Sequence, residues 1–292
     1  MLLRVQKMHA DEIHLDVELV RRLLADQFPE WAELPLERVP SHGTDNALFQ
    51  LGDDMVVRLP RIHWASTGIA KEWRWLPVLA PHLPVAVPAP LALGRPAAGY
   101  AWDWAVYGWL EGENPSLGDT VDPGDLVRLV QAFHRLDLPD APPTRRGAPL
   151  ATQDEWARAA LLDLDGMIDT EAATALWERA LQTPSWSGPP TWLHGDLLPG
   201  NLLVRNRRLT GLLDFALVGV GDPACDLIVA WSVLRGDARE FFRHGVGVDD
   251  ATWARGRGWA LSMALVALPY YKDTNPGFAA IARHVIGETL GG

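Results

Sequence analysis

The 292-residue chain contains a single cysteine, Cys225. One cysteine excludes an internal disulfide and any zinc cage built from cysteines. Its setting, DPACD, places carboxylates beside the thiol, and these raise a thiol pKa, so a buried structural residue is expected rather than a nucleophile. No apolar stretch of roughly 18 residues free of charge occurs, so nothing reads as membrane-spanning. The opening MLLRVQKMHADEIHLD carries charges where a signal peptide has a continuous apolar run. A cytoplasmic location is the resulting expectation. Basic residues are in deficit: 26 Lys and Arg face 37 Asp and Glu, for a formal net charge of −11. That balance argues against nucleic acid, which needs a basic surface, and suits a cationic small-molecule partner. Also missing are G-x-S-x-G, H-E-x-x-H and G-x-x-x-x-G-K-[ST]. Their absence removes a nucleophile-elbow hydrolase, a zinc hydrolase and a P-loop enzyme from consideration.

What is present divides into two textures. DEIHLDVELVRRLLADQ (residues 11–27) spaces Ile13, Val17, Val20, Leu23 and Leu24 as one helical face. ALFQLG and DMVVRLPR, joined through Gly52, Asp53 and Asp54, predict a hairpin. IAKEWRWLPVLAPHL predicts a helix that Pro77 ends or bends. PVAVPAPLALG reads as extended, and YAWDWAVYGWL as an aromatic strand. Gly, Pro and Asp then break the chain near residues 111–125. Beyond that point DLVRLVQAFHRLDL, with Leu126, Leu129, Val130, Phe133 and Leu136 on one face, predicts a helix. Further helical patches fall near 154–168 and 170–182, LTGLLDF reads as a strand, and GDPACDLIVAWSVL is a helix with Asp222 as N-cap and Pro223 at its first position. The remainder is helical by pattern. A small mixed lobe followed by a larger, mainly helical one is therefore expected, and ligands commonly bind in clefts between such lobes.

The informative stretch is HGDLLPGNLLV, residues 194–204, where His194, Asp196 and Asn201 sit between two apolar runs. Alone, Asp196 and Asn201 would be turn-capping residues. Paired with LLDFA, which carries Asp214, they take the spacing H-x-D-x-x-x-x-N followed by D-F-x, that of kinase catalytic and metal-binding segments. Phosphoryl transfer needs a carboxylate to orient the accepting hydroxyl and hard oxygen ligands for magnesium. Asp196 suits the first task and Asn201 with Asp214 the second, while His194 would brace the loop.

With Gly195 after the histidine and GDPACDL running from Gly221 to Leu227, the chain resembles the aminoglycoside phosphotransferase family of small-molecule kinases, over most of its length from about residue 36 onward. The resemblance implies an α+β, two-lobed protein-kinase-like fold with a small mixed β-sheet N-lobe and a larger mainly helical C-lobe. It implies a nucleotide-covering lobe over residues 1–107, a catalytic and substrate-binding lobe over 108–292, and a hinge at about 107–112. Gly43, Thr44, Asp45 and Asn46 would lie over the phosphates. Arg58 stands where kinases keep a phosphate-binding lysine, with Glu72 as its ion-pair partner, and an Arg fork grips carboxylate or phosphate through two hydrogen bonds. Backbone groups of Tyr107, Gly108, Trp109 and Leu110 would meet the purine, and Asp226 would brace the catalytic loop. Mg²⁺ and ATP or GTP are the implied cofactors, and a small-molecule hydroxyl is the implied acceptor.

The acceptor is less legible. Glu111, Glu113, Asp119, Asp122 and Asp125 in one segment, and Asp154, Glu155, Asp163, Asp165, Asp169 and Glu171 in another, would favour a cationic acceptor such as an aminoglycoside, an amino-macrolide or an amino alcohol. Solvated helix faces would give the same pattern. A metabolic kinase of the same fold, acting on an amino alcohol, sugar or amino acid, and a catalytically silent nucleotide-binding relative remain alternatives. Trp102, Trp104 and Trp109 would pack the core near the expected cleft.

Overall fold

The structure is a computed structural model that describes residues 13–40 and 45–291. Gly43 and Thr44 therefore lie outside the described residues. The chain forms two compact units. The first contains the described residues up to Pro81, with Ala86–Glu111 and Gly211–Ala216; the second contains His82–Val85, Gly112–Thr210 and the chain from Leu217 onward. Among the described residues no helix is long and apolar enough to cross a membrane.

In the first unit, helix α1 (Val17–Gln27) starts where the Asp16 carboxylate accepts the Leu19 N–H at 2.8 Å. This cap sets the start at residue 17 and leaves Ile13 outside the helix, its N–H bonded to Arg61 O at 3.2 Å. Strands β1 (Leu36–Arg38), β2 (Asn46–Leu51), β3 (Met55–Pro60), β4 (Pro90–Gly94) and β5 (Trp104–Gly108) form one antiparallel sheet in the order β1-β2-β3-β5-β4. The expected hairpin is β2–β3. Its alternation buries Ala47, Phe49 and Leu51, and these pack with Val57, Leu59, Trp104 and Val106 against Val20, Leu23 and Leu24 of α1. Trp104 is fully buried there and Trp102 packs at its edge, so both are core residues.

Helix α2 (Ser66–Leu79) buries Ile69, Glu72, Leu76 and Leu79 on one face. It continues two residues beyond Pro77, and the Ala80 N–H still bonds Leu76 O. The proline removes one donor without stopping the helix, because the apolar face on either side of it remains buried. Glu72 is an isolated acid on that apolar face.

The second unit is mainly helical: α3 (Pro123–His134), α4 (Asp154–Asp163), α5 (Thr170–Gln182), α6 (Val229–Ser232), α7 (Gly236–Val246), α8 (Asp250–Tyr271) and α9 (Pro276–Gly291). Helix α3 ends before Leu136, which stays only partly buried, and α4 stops at Asp163 rather than near 168. Helix α8 is buried on several faces, packing on α9, α5 and α4. Its glycines permit this: a Cβ on Gly258 would lie 2.6 Å from Leu150 Cδ2 and 2.8 Å from Ala180 Cβ. Strand β6 (Thr191–Leu193) pairs antiparallel with β9 (Gly219–Gly221), and β7 (Leu202–Arg205) pairs with β8 (Arg208–Leu212). The segment after Asp222 is not one α-helix: a 3-10 turn, Pro223–Ile228, precedes α6. Asp222 caps it by accepting the Ala224 N–H at 3.0 Å, and its carboxylate also holds Arg255 at 2.7 Å in a buried ion pair.

Candidate active site

The loop 194–201 leaves β6 with a left-handed glycine: Gly195 has φ +84°. A side chain there would also meet Leu217 O at 2.9 Å and Arg146 Cβ at 3.0 Å, so only glycine is accommodated. The two N–H groups at this bend are held by one buried carboxylate. Asp226 accepts from His194 N at 2.9 Å and from Gly195 N at 2.8 Å. The bracing role expected of Asp226 is thus visible as geometry. His194 is wholly buried, and its Nδ1 accepts the Asp196 N–H at 3.3 Å.

Asp196 and Asn201 are drawn together by the next turn. Leu198 N bonds Asp196 O at 2.8 Å and Asn201 N bonds Leu198 O at 2.9 Å. The Asn201 Nδ2 then donates to both Asp196 O at 2.9 Å and Asp196 Oδ2 at 2.8 Å. With its amide nitrogen so engaged, Asn201 turns its carbonyl oxygen away from Asp196. That is a hard neutral donor of the kind magnesium takes. Two residues that sequence reasoning missed complete the loop. Asn114 Nδ2 clamps Gly200 O at 2.9 Å and Leu202 O at 2.8 Å. Arg146 Nη2 lies 3.8 Å from Asp196 Oδ1. Both sit far from the loop in sequence, and no local pattern marks them.

Burial raises the Asp226 carboxyl to about 7, against its two backbone hydrogen bonds and reinforced by the Asp196 charge. The folded value lies above the ordinary carboxylate value of 3.8. The native state therefore binds the proton more tightly, and the stability this group contributes is present below the ordinary value and lost as pH rises through about 7. We expect wild-type stability to fall by an amount on the order of a few kcal/mol from this group across that window. Denaturant unfolding at several pH values, beside Asp226→Asn, checks it: the variant's curve should be flatter, and equal slopes would contradict the assignment. Burial likewise pushes the Cys225 thiol well above its usual range, and its Sγ donates to Gly195 O at 3.7 Å, consistent with a structural residue.

In the first unit, Arg58 is the centre of a buried network. Its Nη1 bonds Glu72 Oε1 at 2.5 Å and its Nη2 bonds Asp214 Oδ1 at 2.9 Å. Asn46, with its amide oxygen turned toward the guanidinium, accepts from Arg58 Nε at 3.2 Å and Nη2 at 2.9 Å. Glu72 also accepts from the Tyr107 hydroxyl and from Phe215 N, each at 2.8 Å. Burial works to lower the Arg58 pKa, and the Asp214 and Glu72 carboxylates outweigh it, so the guanidinium is held charged. Burial raises Glu72 in turn, with Arg58 opposing. The expected Arg58–Glu72 pair is present, and Asp214 joins it as a third member. Asp214 follows β8 in a left-handed conformation, φ +59°, with its side chain one-third exposed. A strained, partly open carboxylate suits a cation ligand.

Of the residues expected to meet the purine, two have their N–H groups engaged within the fold. The Gly108 N–H bonds Ala89 O at 2.9 Å and the Trp109 N–H bonds Asp54 O at 2.7 Å. Asp45 O accepts the Arg61 N–H at 2.8 Å. Among the described residues no group of three or more His, Cys, Asp and Glu side chains forms a metal cluster. The Asn201 amide oxygen and the Asp214 carboxylate are each, taken singly, a hard oxygen of the kind magnesium accepts.

Comparison with known proteins follows the same lines. The model of a family described as "Phosphotransferase enzyme family" matches residues 37–259. An uncharacterized protein of Bacillus subtilis, YcbJ, is 29% identical over 56% of this chain and 52% of its own length. An aminoglycoside 3'-phosphotransferase of Streptomyces fradiae is 29% identical over 40% of this chain and 46% of its own. The chain thus spans about half the length of the curated relatives it matches. Among solved structures, the GDP and kanamycin complex of an aminoglycoside 2''-phosphotransferase superposes with a TM-score of 0.75 at 17% identity, covering 93% of this chain and 98% of the other. The macrolide 2'-phosphotransferase MphH of Brachybacterium faecium gives 0.60 at 23% identity, covering 94% and 97%. At these identities the superpositions establish a shared fold, α+β with a five-stranded antiparallel sheet and a helical part.

Proposed function

This chain belongs to the phosphotransferase enzyme family, and from that membership we propose that it moves the γ-phosphoryl group of ATP or GTP to a hydroxyl of a small, cationic molecule such as an aminoglycoside or macrolide. The observation that carries the reading is the Asp196–Asn201 pair, locked by hydrogen bonds of 2.8 and 2.9 Å with the asparagine oxygen left over. In the proposed reaction Asp196 orients the acceptor hydroxyl and takes its proton as the acceptor oxygen bonds phosphorus and the nucleotide's β–γ bridge breaks. Asn201 and Asp214 would each offer an oxygen to Mg²⁺, which when bound would neutralise phosphate charge. Arg58 offers phosphate contacts, and the strand end from Tyr107 to Leu110 offers backbone groups to the purine. Because the Gly108 and Trp109 N–H groups are engaged internally, the purine would meet carbonyl oxygens there and the Leu110 N–H. Asp45 and Asn46, with Gly43 and Thr44, stay assigned to the covering loop. Solved relatives in complex with GDP, ADP, kanamycin and gentamicin support a nucleotide donor and an amino-sugar acceptor.

A second reading, a metabolic kinase acting on an amino alcohol, sugar or amino acid, is favoured by one observation. Several acids counted toward a cationic site already serve the fold. Asp122 caps α3, Asp169 caps α5 and Asp119 accepts the Ser116 N–H. Asp125 binds Arg208, and Asp154 binds Arg158 and Trp177. The remaining acids give a weaker field than the composition suggests. Mass spectrometry of aminoglycosides, macrolides and amino alcohols incubated with the protein, Mg²⁺ and ATP or GTP separates the readings. A phosphoryl gain on an antibiotic, absent with Asp196→Ala, supports the first. A gain confined to the metabolites supports the second, and nucleotide binding without any transfer would leave a silent binder.

A further inference from the structure

We infer that Arg146 is a further catalytic residue, whose guanidinium holds the oxygens of the transferring phosphoryl group beside Asp196. The inference rests on the phosphotransferase reading above and adds a group that its motifs do not contain. The loop HGDLLPGN carries no lysine or arginine. Phosphoryl transfer delivers a doubly charged group to the acceptor oxygen, and stabilising it calls for a fixed cation where that charge arrives. Arg58 is bound on both Nη atoms by carboxylates and on Nε by Asn46. Beside Asp196 the cation is Arg146, which reaches the loop from fifty residues earlier in the chain.

Its placement is built. Residues 142–147 run along β9: Val220 N bonds Pro142 O at 2.9 Å, Thr144 Oγ1 bonds Leu217 O at 2.7 Å, and Asp222 N bonds Gly147 O at 2.9 Å. Gly147 and Gly221 cross so closely that a Cβ on Gly147 would lie 2.6 Å from Gly221 Cα. The side chain of Arg146 then lies on Gly195, where an added Cβ would meet its Cβ at 3.0 Å and its Cγ at 3.2 Å. Three glycines thus press one arginine onto the backbone that precedes Asp196.

The guanidinium so placed is underused. Its Nη2 stands 3.8 Å from Asp196 Oδ1, beyond hydrogen-bond length, and its Nε is buried with no hydrogen-bond partner among the described residues. A buried donor without a partner is costly in a purely structural arginine. The Nη end of this partly exposed side chain, the end that faces Asp196, would serve oxygens that arrive with the substrate. Asp196 meets Asn201 through Oδ2 and faces Arg146 from Oδ1, so an acceptor hydroxyl held by Asp196 and the phosphoryl group it receives would lie within reach of the guanidinium. The balance of the step is unchanged: the hydroxyl proton goes to Asp196, the electron pair of the broken bond stays on the nucleoside diphosphate, and Arg146 transfers nothing.

A purely structural Arg146, offsetting the charge of Asp196, is separated by a transition-state mimic. ADP binding is measured by calorimetry with Mg²⁺, with and without aluminium fluoride, which imitates the transferring group. Wild type should bind ADP more tightly with the fluoride. Arg146→Met should lose at least ten-fold of that tightening while its affinity for ADP alone changes less than two-fold, and Arg146→Lys should recover part of it. If the Met variant does not fold, Arg146→Gln takes its place in the same comparison. Wild-type tightening retained in the folded variant overturns the inference and leaves the proposed function standing. A wild type that shows neither tightening nor transfer to any acceptor overturns both.

Discussion

Asp196→Ala is expected to lose roughly 10²–10⁴-fold in kcat with nucleotide affinity nearly unchanged. The substitution removes the group proposed to orient and deprotonate the acceptor while leaving the loop's frame in place. Asn201 keeps its hydrogen bond to the Asp196 carbonyl at 2.9 Å, and Asp226 keeps both N–H groups at the preceding bend. Alanine is a cleaner probe than asparagine, because an introduced amide would set its NH₂ group either against the Asn201 Nδ2 or toward the Arg146 guanidinium. Single-turnover kinetics with the acceptor found by mass spectrometry, together with calorimetric nucleotide binding, give both numbers. A variant with wild-type kcat would remove Asp196 from the mechanism. One that failed to bind nucleotide would assign it a structural duty instead.

Glu72→Ala is expected to be the most damaging single change to stability, about 3–5 kcal/mol. Glu72 is 1% exposed and receives three donors: Arg58 Nη1, the Tyr107 hydroxyl and the Phe215 N–H. Its loss leaves a buried guanidinium with only Asp214 and Asn46, and strands two further donors in the core of the first unit. Unpaired buried charge costs far more than the pair contributes when intact. Tyr107→Phe removes one of the three bonds and should cost about 1 kcal/mol. Denaturant unfolding of both variants checks the ratio. A Glu72→Ala loss no larger than that of Tyr107→Phe would mean the carboxylate is not the hub. Nucleotide affinity should fall with Glu72→Ala, since the Arg58 fork loses one of its anchors.

The pairing of Arg58 with Glu72 was legible only through the family resemblance, since the two residues lie on different elements and no short-range spacing joins them. The Asp196–Asn201 pair was legible because four intervening residues form one turn, so the spacing in the sequence is the geometry in space. Much of the two-texture layout was legible too, through alternation in β2 and β3 and helical spacing in α1, α3 and α5. The path of α2 through Pro77 was not, since a buried face on both sides outweighed one lost hydrogen bond.

By itself the sequence determined the small sheet followed by a helical region and the close approach of Asp196 and Asn201 within one loop, because periodicity and short-range spacing act within one or two turns of chain. The tertiary structure decided the rest. It brought Arg146 and Asn114 to the loop, joined Asp214 to Arg58, engaged the Gly108 and Trp109 N–H groups, and committed Asp122, Asp125 and Asp154 to caps and ion pairs. Most of these contacts join residues that are distant in the chain. Their partners are chosen by how glycine crossings and buried faces pack, and residue order alone does not encode that choice locally.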